Sequence, residues 1–101
     1  VKPTIFHPQA DNEFAEAVGS YAGKVPGLGD RFYDMVLRLV AEIEAAPQLH
    51  RPWRHGTRRH FKPEFPYALI SLIYVERPDR IIVLAVAHFK RRPDFWRERL
   101  G

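Results

Sequence analysis

A chain of 101 residues fits one domain, and a domain of that length buries roughly 65% of the surface its unfolded form would expose, which limits it to one modest core. With 46% hydrophobic and 28% charged residues the composition is that of an ordinary globular protein, and the absence of cysteine excludes disulfides, thiol catalysis and the usual zinc ligand sets. The formal net charge of +4 is unevenly spread: residues 1–46 carry four Lys/Arg against seven Asp/Glu, whereas residues 47–101 carry twelve against five.

Lys2 to His7 reads as a short first strand with Ile5 and Phe6 as its apolar content. Pro8 ends it and suits the first turn of a helix, where its missing N–H is not needed. Asp11 and Glu13 then place negative charge at the helix start, and Phe14, Ala17, Val18, Tyr21 and Ala22 recur at helical spacing. Gly23 to Gly29, with Pro26 inside it, is expected to be a tight connection. A second helix follows from Leu28 or Asp30 to Ala46, its apolar face traced by Phe32, Met35, Val36, Leu39, Val40 and Ile43 and its end set by Pro47. Two helices joined so closely should form an antiparallel hairpin whose stripes need a sheet to cover.

The second half supplies that sheet. Thr57 to Phe61, Tyr67 to Val75 and Ile81 to Phe89 read as strands, with a hairpin turn at Glu76 to Arg80 around Pro78 and Asp79. The near-continuous apolarity of the two long strands predicts cover on both faces. Pro93 then breaks the chain, and residues 94–100 form a short helix or ordered tail. The expected fold is therefore α+β in the order β-α-α-β-β-β, a single domain over residues 1–101 with a mainly antiparallel sheet under a helical hairpin. The longest apolar run, Ile81 to Ala87, is far shorter than the roughly 20 residues that span a bilayer, and the N-terminus lacks a signal-like pattern. A reducing cytoplasm is the expected location, with no membrane partner.

Positive charge collects in two places. No acidic residue lies between Ala45 and Pro63, where Arg51, Arg54, Arg58, Arg59 and Lys62 occur with three histidines, and Lys90, Arg91, Arg92, Arg97 and Arg99 fall within ten positions. Such clustering suits an anionic partner, although a solvated face would also accept it. Arg58 and Arg59 must point to opposite sides of a strand, so only one can face a given site. His50, His55 and His60 are five residues apart, no regular ligand spacing, and neither a metal nor a cofactor is expected.

Several short motifs in this order resemble the RelE/ParE family of toxins from bacterial type II toxin–antitoxin systems. They are Pro26-Gly27-Leu28-Gly29 with Arg31-Phe32, Ile43 with Pro47, Arg58-Arg59-His60-Phe61, Phe65-Pro66-Tyr67, Ala85-Val86-Ala87-His88, Arg91-Arg92-Pro93 and Trp96-Arg97-Glu98-Arg99. The resemblance covers nearly the whole chain and implies a growth inhibitor silenced by a cognate antitoxin encoded beside it. It also implies one of two targets, DNA gyrase or mRNA on the ribosome.

For metal-free RNA cleavage, His88 is the candidate acid or base, and Arg59, Arg91 and Arg92 are candidates for stabilising phosphate charge. Nuclease members pair lysines before the sheet and carry a late tyrosine. Here Arg51, Arg54 and His55 replace the lysines, and Trp96 stands late and cannot exchange a proton. The resemblance is therefore nearest to the ParE-like plasmid-stabilisation branch, which implies gyrase inhibition without RNA cleavage, with a metal-independent mRNA endoribonuclease as the alternative. Target or antitoxin binding is expected of Arg58, Arg59, Phe65, Tyr67, Lys90, Arg91, Arg92, Trp96 and Arg97. Each has a structural alternative: His88 at the core edge, Phe65 and Tyr67 as packing, Trp96 as a lid over the open sheet face. A plain nucleic-acid-binding domain is the third class considered.

Overall fold

A computed structural model describes residues 1–63 and 70–101. The elements are β1 (Thr4–Phe6), α1 (Pro8–Lys24), α2 (Leu28–Ala45), β2 (Arg51–Pro52), β3 (Arg58–His60), β4 (Ile70–Glu76) and β5 (Ile81–His88), with a last 3-10 turn at Arg97–Leu100. They form an α+β fold in which two helices pack on a five-stranded sheet of order β1-β5-β4-β3-β2. All pairings are antiparallel except β1 with β5.

The helix connection is shorter than the glycines suggest. Gly23 stays inside α1, the Val25 N–H still donates to the Tyr21 carbonyl, and the reversal is made at residues 25–27 by Gly27 in the left-handed region. Gly29 lies inside α2 at the crossing: a Cβ there would sit 2.7 Å from the Val18 carbonyl oxygen and 2.9 Å from the Ala22 Cβ. Its missing side chain is what lets the two helices approach.

Sequence periodicity sets which face is buried. Phe32, Met35, Val36, Leu39 and Ile43 are buried along α2 and meet Leu72, Tyr74, Ile81, Val83 and Val86 of the sheet, each large side chain contributing roughly 1.5–3 kcal/mol. The Tyr74 hydroxyl donates to the Pro47 carbonyl beyond α2 (2.5 Å), and burial pushes its pKa up to about 12. The opposite sheet face is covered by the C-terminal segment: Ile73, Val75, Leu84, Ala85 and Ala87 pack with Trp96, Trp53, Phe95 and Leu100. Both long strands are thus covered on both faces, as their apolarity predicts.

Strict alternation along β5 fails at one point. Tyr74 pairs with Val83 but Ile73 pairs with Ala85, so Leu84 is an extra residue that bulges the strand. Leu84 and Ala85 consequently share the C-terminal-segment face, and Val86 returns to the helix face. Beyond the reach of β1, an ion pair takes the place of a neighbouring strand. The Val86 N–H donates to Glu13 Oε1 (3.1 Å), Arg99 Nη1 donates to the Leu84 carbonyl (2.9 Å), and Arg99 and Glu13 are joined by two bonds of 2.8 Å. α1 is thereby tied to the last turn through the bulge.

Candidate functional site

The covered face is incomplete at one end. Between the end of β5, the neighbouring part of β4, the turn after β2 and the C-terminal segment lies a cavity of about 240 Å³. Its walls include Trp53, Arg54, Arg59, His88, Arg91, Arg92, Phe95 and Trp96, and no carboxylate lines it among the described residues.

The cations arrive from separate elements. Arg59 comes from β3, half-buried, with its guanidinium 4.1 Å from the centroid of the Trp53 ring. Arg91 and Arg92 follow the end of β5 on an exposed turn, and the Arg91 guanidinium lies 4.0 Å from the Phe95 centroid. Stacking occupies a face of the Arg59 and Arg91 guanidiniums but leaves their in-plane N–H groups unspent on any described residue. The Arg59 Nε is buried without a hydrogen-bond partner. Burial lowers the pKa of Arg59 from its ordinary value, and nearby Arg51 adds to the effect. Among the described residues no carboxylate pairs with it.

Two left-handed residues hold the wall in place. His55 (φ 60°) and Asp94 (φ 68°) lie in a region that costs an L-residue roughly 1–2 kcal/mol, and they face one another with His55 Nε2 3.2 Å from Asp94 Oδ1. Arg54 Nη1 is 3.7 Å from the same carboxylate. These contacts set the turn at Arg54–Gly56 against the C-terminal segment, although Asp94 Oδ1 is buried without a hydrogen-bond partner.

His88 lines the cavity with Nδ1 accepting from the Lys90 N–H (3.1 Å). The neutral ring therefore carries its proton on Nε2, which makes it a donor towards a ligand rather than a base.

Of the residues expected at the site, Arg59, His88, Arg91, Arg92 and Trp96 come together in this cavity. Trp96 does so as a buried wall, 1% exposed, under the C-terminal segment. Arg58 points away and donates to the His50 carbonyl (2.8 Å). Lys90 and Arg97 are exposed outside the cavity walls, and Phe65 and Tyr67 lie outside the described residues. Arg99, part of the same basic run, is spent on Glu13.

Sequence reasoning missed Trp53 and Phe95, although each aromatic is followed closely by a basic residue and could have been read as a stacking partner. It left the histidines without a role. His50 and His60 stack at 3.7 Å, with His60 Nε2 2.6 Å from Glu42 Oε1 and Lys62 Nζ 2.5 Å from Glu42 Oε2. This cluster joins the end of α2 to β3 and lies apart from the cavity lining. Among the described residues no group of three or more His, Asp or Glu could hold a metal ion, and no helix is long and apolar enough to cross a membrane. Compared with protein-family models and with curated proteins, the chain matches none.

Proposed function

We propose that this chain is the toxin of a bacterial type II toxin–antitoxin system of the RelE/ParE kind, held silent by a cognate antitoxin. Its growth inhibition would run through a ParE-like block of DNA gyrase. The single observation behind the reading is the cationic cavity on the sheet face opposite the helical hairpin, where Arg59, Arg91 and Arg92 meet in a fold that differs from the expected β-α-α-β-β-β order by one added two-residue strand, β2. A surface of unspent guanidinium groups flanked by exposed Phe89, Lys90 and Arg97 suits an acidic protein partner, target or antitoxin.

Two features favour a non-hydrolytic action. The late aromatic, Trp96, has no exchangeable hydroxyl and is buried, and His88 offers a donor where attack by a ribose hydroxyl requires a base. One observation favours mRNA cleavage instead: four arginines and a histidine line a single cavity, a set able to stabilise a pentacoordinate phosphate.

The test is a pair of assays on purified protein, gyrase supercoiling and primer extension on mRNA from translating ribosomes. Loss of supercoiling without mRNA cuts is expected. Codon-positioned cuts abolished by His88→Ala or Arg91→Ala would replace the gyrase reading with the nuclease one. Free expression without harm to the host, with no neighbouring frame whose product binds the chain, would remove the toxin reading itself.

A further inference from the structure

We propose that the cavity is a pocket for a phosphate monoester carried on a planar ring, the chemistry of a nucleoside monophosphate. The proposal rests on the cavity being the acting site described above, but it concerns what that site binds rather than what the chain inhibits.

The charge inventory selects the anion. The guanidiniums of Arg59, Arg91 and Arg92 make no hydrogen bond to any described residue, those of Arg59 and Arg91 lie against aromatic rings, the fourth lining arginine, Arg54, leans towards Asp94, and no described carboxylate lines the cavity. A single carboxylate offers one charge and two oxygens and would leave most of these donors unpaired. An internal phosphodiester also carries one charge, on two free oxygens, and needs two exits for its chain. A phosphate monoester offers up to two charges on three terminal oxygens, enough for bidentate bonds to two guanidiniums with a contact left for the third. The Nε2–H of His88 adds a neutral donor at the same cavity.

Volume selects the size. At about 240 Å³ the cavity is below the ~300–1,000 Å³ of pockets that enclose a drug-sized ligand, so it takes one end group and not a polymer. The ring has a surface to lie on at the mouth, where Phe89 is 58% exposed and its centroid is 5.1 Å from that of His88. Arg59 already has a stacked face and no described acceptor for its guanidinium, so an oxyanion that reaches its outer N–H groups displaces no bond to a described residue.

The chain's only two tryptophans, Trp53 and Trp96, both line the cavity and report directly on its occupation. The wild-type protein is titrated by tryptophan fluorescence, and in parallel by calorimetry, with adenosine 5′-monophosphate, inorganic phosphate, adenosine, N-acetylglutamate and a dinucleotide bearing only an internal diester. Saturable binding of the monophosphate is expected, about tenfold or more tighter than the diester or inorganic phosphate. Adenosine and N-acetylglutamate should not saturate.

Arg59→Gln should weaken monophosphate binding at least about tenfold. The exposed Arg92→Gln should do the same with an unchanged melting curve, which keeps the test decisive if Arg59→Gln fails to fold. No saturable signal with the monophosphate overturns the proposal. So does equal or tighter binding of the diester or of N-acetylglutamate, or wild-type affinity in Arg92→Gln. Because no growth or gyrase readout enters, a negative result here leaves the toxin reading standing, and loss of the toxin reading leaves a measured binding constant intact.

Discussion

Replacing Glu13 by Gln tests the tie between α1, the β5 bulge and the last turn. The carboxylate accepts two bonds from Arg99 and one from the Val86 N–H, and the paired side chains are only 9% and 14% exposed. Gln keeps the shape but removes the charge, leaving the Arg99 guanidinium nearly buried with only neutral acceptors, the Leu84 carbonyl and a single amide oxygen. Breaking a buried pair from one side costs roughly 3–5 kcal/mol, because the remaining charge has lost its compensation. A domain of this size is stable by about 5–15 kcal/mol, so the loss is a large share of the total and should lower Tm by some 12–40 °C at ~4–8 °C per kcal/mol. Urea unfolding followed by circular dichroism measures it, with Arg99→Met and the double variant completing the cycle. Coupling below about 1 kcal/mol would place the pair among exposed salt bridges and refute the role given to it.

Gly29→Ala should destabilise by about 1–3 kcal/mol, since the added methyl meets the Val18 carbonyl and the Ala22 Cβ at the helix crossing, whereas Gly19→Ala, with nothing within 4 Å, should stabilise by roughly 0.5–1 kcal/mol. Chemical denaturation of both variants gives the two signs. Tyr74→Phe removes the donor to the Pro47 carbonyl and should cost about 1–3 kcal/mol by the same measure.

Stability should also fall in acid in two steps. Burial holds the His60 pKa below its ordinary 6.5, so the unfolded chain takes up the proton first and stability declines as pH drops from 6.5 towards the folded value. Hydrogen bonds from Lys62 and then His60 hold Glu42 below 4.5, so its contribution is full above that pH and is lost as pH falls through the lowered value. Urea midpoints measured against pH should show the first decline vanish in His60→Gln.

The helical hairpin was legible because α2 is long and periodic: Phe32, Leu39 and Ile43 could only be one buried face. The β4–β5 hairpin was legible from Pro78 and Asp79 between two apolar runs. Parallel pairing of β1 with β5 was not, because its partners, Thr4 and Ile81 among them, are far apart in sequence and no local pattern encodes the contact. The bulge at Leu84 also escaped. Alternation counts residues and places Ile82, Leu84, Val86 and His88 together, whereas one extra residue moves Val86 to the helix side. At the site, charge clustering found Arg59, Arg91 and Arg92, and strand geometry correctly separated Arg58 from Arg59. The diversion of Arg99 to Glu13 could not be read, since its partner is 86 positions away.

The parallel pairing of β1 with β5 also bears on how the molecule yields to force. Tension applied before Thr4 and after His88 draws two parallel neighbours in opposite directions along their length. The rungs between Thr4–Phe6 and Ile81–Val83, with those of Ile81 to Pro3 and His7 to Val83 at either end, would carry the load together in shear. An antiparallel pair pulled from one end opens rung by rung. A machine that threads this chain from its ends would therefore have to break that short patch as a unit before it could unravel the central hairpin.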